Sequence, residues 1–239
     1  MRGLVISDLH LFSRRSDGAA LWADLCNELR HAGTLVLNGD IFDFRWSGLP
    51  DEEATIAAAL QWVGNLVNQS RWESIHYIFG NHDCLAAFRD RLKEFAADHP
   101  KLQCYDERLR LGRSLFLHGD CANRKMDNQA LRQYRQRWSR DQARGPLRKA
   151  LYDGADVVGL SRGFHTMYFP HRRSVGRIAH HLDHVMPPWR DEIADCYFGH
   201  THRPFADFLF EGVRFHNTGS GIRGMGFQPL TFDLERDEN

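Results

Sequence analysis

Seven side chains of metal-binding type fall at the ends of short apolar runs in this chain of 239 residues. The turns that hold them are Asp8-Leu9-His10, Gly39-Asp40-Ile41-Phe42-Asp43, Gly80-Asn81-His82-Asp83, His118-Gly119-Asp120 and Gly199-His200-Thr201-His202. Asp8, His10, Asp40, Asn81, His118, His200 and His202 together offer two carboxylates, one carboxamide oxygen and four imidazoles. Such a mixture suits manganese, iron, zinc or nickel and is too rich in imidazole for calcium or magnesium. One transition ion needs fewer ligands. The set suits two divalent ions that share a carboxylate and keep positions open for water and substrate. Two ions about 3.5–4 Å apart activate a bridging hydroxide and neutralise a phosphate during in-line displacement. A single turn of this kind is common in unrelated chains. Five in this order, each closing an apolar run, are not explained by turn propensity alone.

The apolar runs are the strands that must carry these turns. Leu4-Val5-Ile6, Leu35-Val36-Leu37 and Ile75 to Phe79 read as buried strands. Between them, Leu21, Leu25 and Leu29 recur at helical spacing within 18–32, and Gly33 stands where that helix would stop. Residues 51–69 form a second amphipathic helix with Asp51, Glu52 and Glu53 in its first turn, and 85–97 a third. This alternation predicts an α/β sheet, in which ligand sites gather at the carboxyl ends of the strands. Beyond residue 102 the pattern becomes short strands at 102–105, 107–111 and 114–118. Residues 121–192 are helix-like and basic, and from 195 short strands return between Gly- and Pro-bearing turns. The charged tail Glu235–Asn239 is expected to fray.

Composition narrows the class. Hydrophobic residues at 42% and charged residues at 26% exclude a disordered or fibrous chain. Lys plus Arg equals Asp plus Glu, 31 against 31, so no global field draws nucleic acid or membrane. Five cysteines, an odd number without a CxxC pair, read as reduced thiols of a cytoplasmic protein. The opening apolar run is too short for a secretory signal, and no run approaches 18 apolar residues.

The five turns resemble those of the calcineurin-like metallophosphoesterases, whose pattern is DxH, GDxxD, GNHD, a later H and GHxH, and the match runs from Asp8 to His202. The resemblance implies a single α/β domain over 1–239, folded as a four-layer α/β/β/α metallophosphoesterase sandwich with a helical lid insertion at about 121–192. It implies Asp8, His10 and His202 on one ion, Asn81, His118 and His200 on the other, and Asp40 on both, with manganese favoured. It also implies that His82 contacts the phosphate and protonates the leaving group, with Asp83 orienting it. Asp43 reads as a supporting residue that fixes an imidazole by a hydrogen bond. Within the superfamily, Trp46 just beyond Asp43, the strand end at His118-Gly119-Asp120 and the helical stretch after it most resemble the UDP-2,3-diacylglucosamine pyrophosphatase branch. Members of that branch carry Arg where this chain has His82, the general superfamily state.

Between Asn123 and Asp191 there are 14 Lys or Arg against five Asp. Leu131, Tyr134 and Trp138 share helical spacing, so 127–144 is expected as one helix with Arg132, Arg135, Arg137 and Arg140 around its apolar face. In this reading the lid offers Arg132 and Arg135 to a phosphorylated substrate, and Phe164, Met167, Tyr168 and Phe169 to an acyl chain or a base. His165, His171, His180, His181 and His184 read as surface or packing residues. The expected partner is a phosphorylated small molecule or nucleotide-lipid, met at the inner membrane face if it carries acyl chains. No stable nucleic-acid partner is expected, and oligomeric state has no signature. The same motifs also accommodate a nuclease or a cyclic-nucleotide phosphodiesterase. A non-catalytic scaffold is the reading from another class, and the complete ligand set argues against it.

Overall fold

The computed structural model describes residues 2–28, 32–140 and 167–234. The apolar runs of the first half form parallel strands β1 (Arg2–Ile6), β2 (Thr34–Asn38), β3 (Ser74–Ile78) and β4 (Leu102–Tyr105), hydrogen-bonded in that order. Their runs are continuous rather than alternating because both faces of the sheet are covered. Leu4, Ile6, Leu35, Leu37, Ile75 and Tyr77 pack against helices α1 (Gly18–Glu28), α2 (Glu52–Val67) and α3 (Ala86–Ala97), through Trp22, Leu25, Ile56, Val63, Phe88 and Leu92. The intervening Val5, Val36 and Ile78 point the other way, into a core shared with Leu109, Phe116, Tyr197 and Phe232. Asp51 caps α2 by accepting from Ala54 N at 2.8 Å, and Glu52 and Glu53 follow in the first turn, where the helix dipole favours acids.

The second sheet comprises β5 (Arg108–Leu111), β6 (Ser114–Leu117), β7 (Asp195–Phe198), β8 (Phe205–Phe210) and β9 (Val213–Asn217), in the order β5-β6-β7-β9-β8. A tenth strand, β10 (Leu230–Asp233), returns to the first sheet and pairs antiparallel with β1. On the outer face of the second sheet, Leu115, Leu117, Phe198 and Phe215 bury Leu131 of α4 (Asn128–Trp138) and Val175, Ile178 and Leu182 of α5 (His171–Val185). Three cores between four layers make the α/β/β/α sandwich.

The described part of the 121–192 stretch is therefore the sandwich's outer helical layer, packed on the second sheet. It opens with a 3-10 turn at Asp120–Asn123 and ends in a single helical turn at Trp189–Glu192. Asp127 caps α4 by accepting from Ala130 N at 2.8 Å. Of the helix expected over 127–144, residues 141–144 lie outside the described residues, as do Phe164, His165, residues 29–31 of the helix expected over 18–32, and the tail Glu235–Asn239. Among the described residues, no helix is long and apolar enough to cross a membrane.

One buried ion pair fastens α4 to the end of β6. Arg135 Nε and Nη2 meet the two carboxylate oxygens of Asp120 at 2.7 and 2.8 Å. The pair is enclosed, with side chains 12% and 1% exposed. Burial alone would raise the Asp120 carboxyl, but the Arg135 guanidinium holds it below the usual carboxylate range. Removing one partner of such a pair leaves a buried charge unmatched and costs about 3–5 kcal/mol. Arg135→Ala should show a loss of that size in urea unfolding, and Arg135→Met combined with Asp120→Leu should lose less. Equal stability of Arg135→Ala and wild type would mean that the pair does not hold the helix.

Candidate metal centre

Five strand ends converge on one place. Asp8 and His10 follow β1, Asp40 and Asp43 follow β2, Asn81 and His82 follow β3, His118 follows β6, and His200 and His202 follow β7. Asp8, His10, Asp40, Asn81 and His118 are buried. Among the described residues, eight non-glycine residues have positive φ, and five are candidate ligands: Asp8 (51°), His10 (48°), Asp40 (52°), His200 (63°) and His202 (55°). Left-handed backbone of this kind costs about 1–3 kcal/mol per residue and persists where the surroundings enforce it, most often at functional sites. Two glycines make the close approach sterically possible. A Cβ on Gly80 would stand 2.2 Å from Asp40 Oδ1, and one on Gly199 would stand 2.0 Å from Asp8 Oδ2.

The donor atoms fall into two adjacent groups, linked by the approach of Asp40 to His10. Asp8, His10 and His202 form one, and Asp40, His118 and His200 the other, each with its ligand atoms within 4.8 Å of one another. A third group of His10, Asp40 and His82 overlaps both. Asp40 Oδ2 stands 3.2 Å from His118 Nε2 and 4.0 Å from His10 Nε2. In the first group His10 Nε2 and His202 Nε2 are 3.2 Å apart, and His202 Nε2 is 3.3 Å from Asp8 Oδ1. Asn81 Oδ1 is buried without a hydrogen-bond partner, which fits a carboxamide oxygen waiting for a cation. The donors present thus fit two transition ions.

The electrostatics agree. Burial alone would raise the Asp40 carboxyl, but the His118 and His82 imidazoles hold it well below its ordinary range. Burial alone would lower His118, yet Asp40 pulls it up to about 10. His200 goes the other way, to about 3, through burial and the neighbouring His118 charge. Asp40 and His118 thus favour opposite charges across a 3.2 Å gap, a place where a metal ion would compete with a proton for the same oxygen and nitrogen.

Around His82 the structure corrects one expectation. Asp83 does not orient His82. Its Oδ2 accepts from Ile41 N at 2.9 Å and the Tyr77 hydroxyl at 2.7 Å, and its Oδ1 from Gly80 N at 2.7 Å. Three donors, one from β3 and two from the turns, occupy this buried carboxylate, so Asp83 clips the turn after β3 to the turn after β2. The partner of His82 is Asp43, with Oδ1 at 3.1 Å from His82 Nδ1 and Oδ2 at 3.6 Å from His10 Nδ1. Burial would lower His82, but Asp43 and Asp40 raise it to about 9.

The two arginines expected to face a substrate are engaged elsewhere. Arg135 binds Asp120, and Arg132, 68% exposed, pairs with Glu107 at 3.1 Å. Both tie α4 to its surroundings. What reaches His82 from α4 is Trp138, with ring centroids 4.8 Å apart, and Arg45 lies over the same indole at 4.4 Å. The helical spacing of Leu131, Tyr134 and Trp138 carried the signal for an apolar face, but not for what its last residue touches. Met167, Tyr168 and Phe169 lie on the described segment leading into α5, and Phe169 approaches His200 at 5.9 Å. His181 is buried, as a packing residue should be, with Nδ1 3.1 Å from Met126 O.

A cleft of about 740 Å³ among Arg113, Asp195, Tyr197, Arg214, His216 and Phe232 contains none of these ligands. It sits at the amino ends of β6 and β7, and its Asp195 is already matched to Arg214 at 2.7 Å and His216 at 2.9 Å.

The family model for calcineurin-like phosphoesterases matches residues 1–204. The chain belongs to the calcineurin-like phosphoesterase family. Among curated relatives, it is 35% identical over 127 residues to a UDP-2,3-diacylglucosamine hydrolase of Chromohalobacter salexigens, a match covering 50% of this chain and 47% of that protein. The chain thus spans about half the length of that curated relative. Among solved structures it is similar to a phosphopantetheinyl hydrolase from Mycobacterium tuberculosis, at 12% identity and TM-score 0.48, covering 99% of this chain and 97% of that one. It is also similar to a dimetal phosphatase from Danio rerio, at 13% identity and TM-score 0.48, covering 98% and 99%. In this calcineurin-like phosphoesterase, the DxH, GDxxD and GNHD turns, the later His118 and the GHxH turn are the five strand ends that meet.

The two aspartates around His82 should separate experimentally. Asp83→Asn leaves loop donors poorly matched and should cost about 1–3 kcal/mol of stability in urea unfolding. Asp43→Asn should leave stability closer to wild type and lower kcat, because both His82 and His10 lose their anionic partner. The opposite ranking, with Asp43→Asn the less stable protein, would contradict these assignments.

Proposed function

We propose that this chain is a binuclear metal-dependent phosphoesterase that hydrolyses a phosphodiester, pyrophosphate or phosphomonoester, with a nucleotide-lipid diphosphate of the UDP-2,3-diacylglucosamine kind as its leading substrate. The observation that carries the reading is the pair of adjacent ligand groups, with Asp40 Oδ2 of one lying 4.0 Å from His10 Nε2 of the other. Asp8, His10 and His202 would hold one ion, Asn81, His118 and His200 the second, and Asp40 both. Two divalent ions, manganese favoured, would supply an acidified water and positive charge against the phosphate. The single domain, with α4 and α5 as its outer layer, would orient the substrate.

His82 has the proton chemistry of a general acid. Asp43 and Asp40 raise its basicity to about 9, which favours the protonated ring that gives a proton to a departing oxygen. Asp43 would hold the ring by Nδ1 at 3.1 Å, leaving Nε2 for that transfer. The 35% identity to a UDP-2,3-diacylglucosamine hydrolase supports the substrate class. A nuclease or cyclic-nucleotide phosphodiesterase activity is the alternative within the family. Cys84, Cys104, Cys121 and Cys196 are free thiols, which supports a reducing compartment, the cytoplasm. Cys26 lies outside the residues whose side chains are described.

Chelator-stripped protein should be inactive on an aryl phosphate and regain activity with manganese. Full activity of thoroughly metal-free protein would end the reading. In the restored enzyme, UDP-2,3-diacylglucosamine should be turned over with higher kcat/KM than cyclic AMP or single-stranded DNA, and the reverse order would favour the alternative. His82→Ala should lose roughly 100- to 10,000-fold on alkyl esters and far less on an activated aryl ester, at unchanged metal content. Equal losses on both would make His82 a positioning group rather than the acid.

A further inference from the structure

His200 enters the centre from the turn after β7, and its Nε2 lies 2.9 Å from Oδ1 of Asn123. An amide oxygen only accepts, so Nε2 carries the proton and the neutral ring keeps its lone pair on Nδ1. Metal-ligating histidines as a rule donate their second ring N–H to such an acceptor, which fixes both tautomer and ring plane. We propose that Asn123 is a positioning residue for the second ion: it holds His200 in the Nε2–H form and leaves Nδ1 for the metal. The inference rests on the binuclear reading.

His118 uses the same device with a backbone acceptor. Its Nδ1 is 3.2 Å from the carbonyl oxygen of Asn38, which leaves Nε2 for the ion beside Asp40. At His200 this part falls to a side chain, and that side chain belongs to the 3-10 turn opening the helical stretch. The turn is held from several sides. Arg177 Nη1 of α5 donates to Ala122 O at 2.7 Å, the Tyr168 hydroxyl donates to Asn123 O at 3.2 Å, and Tyr134 of α4 interacts with the Asn123 side chain. Seating of the outer helices on the second sheet thus places the residue that places His200.

The test is calorimetric titration of metal-free protein with manganese, for wild type, Asn123→Leu and Asn123→Asp. Leu removes the acceptor at similar size, and Asp restores an accepting oxygen. Wild type should bind two ions. Asn123→Leu should bind the first with unchanged affinity and the second about 10- to 100-fold more weakly. Asn123→Asp should recover the second. A nitrogen-15 spectrum of metal-free wild type should show the His200 proton on Nε2, and Asn123→Leu should lose that preference. Both ions bound by Asn123→Leu at wild-type affinity, or a wild-type His200 protonated on Nδ1, would overturn the proposal. Wild type binding fewer than two ions would instead overturn the binuclear reading, and the spectrum would still decide the Asn123–His200 bond. If Asn123→Leu does not fold, the wild-type spectrum and the Asn123→Asp titration decide it.

Discussion

Two carboxylates buried side by side are the constraint around which this molecule is arranged. Asp8 and Asp40 lie at the carboxyl ends of adjacent parallel strands and are withdrawn from water. An isolated buried carboxylate costs several kcal/mol, and two neighbouring ones repel each other as well, so only cations can make the arrangement stable. The backbone keeps the two acids together beyond the sheet itself. Asp8 N donates to Gly39 O at 3.0 Å, His10 N to Asp40 O at 3.0 Å and Leu11 N to Ile41 O at 2.8 Å, so the β1–β2 pairing continues through both turns. Asp8 is gripped from the second sheet too, where His200 N donates to its carboxylate at 2.9 Å. Positive φ at five ligand positions is what it takes to aim these side chains inward.

The outer helices serve this centre as well as covering the second sheet. α4 is anchored by Arg135 to Asp120, two residues beyond His118, and its last residue, Trp138, lies against His82. Between them, the turn at Asp120–Asn123 puts an amide oxygen on His200. One helical layer therefore touches the centre at His82 through Trp138 and at His200 through Asn123. The basic excess of this stretch is partly an assembly device. Arg132, Arg135 and Arg177 bond to Glu107, Asp120 and the Ala122 carbonyl, respectively.

The strands and the turns that close them were legible in the sequence because a doubly covered parallel strand needs an unbroken apolar run. Asp8, Asp40, His118 and the His200–His202 pair each follow such a run, so their convergence is implicit in the sequence. The helical stretch was recognisable in type, but not its use. Which partner an arginine chooses depends on residues far along the chain, and Arg135 finds Asp120 only because α4 folds back over the end of β6. Asp83 and Asp43 show the same limit. The two are equivalent in type, and Asp83 is the chain neighbour of His82, yet hydrogen bonds from Gly80, Ile41 and Tyr77 occupy Asp83 and leave His82 to Asp43, 39 residues away. Asn123 carried no local signal. Its role exists only where β7 brings His200 alongside the turn after β6.

If the buried acids hold two ions, Asp40 stands between them. Anomalous diffraction at the manganese edge from crystals of the metal-loaded protein tests it most directly. Two peaks are expected about 3.5–4 Å apart, both within bonding distance of the Asp40 carboxylate, with Asp8 on one side and Asn81 on the other. A single peak, or two peaks of which only one touches Asp40, would contradict it.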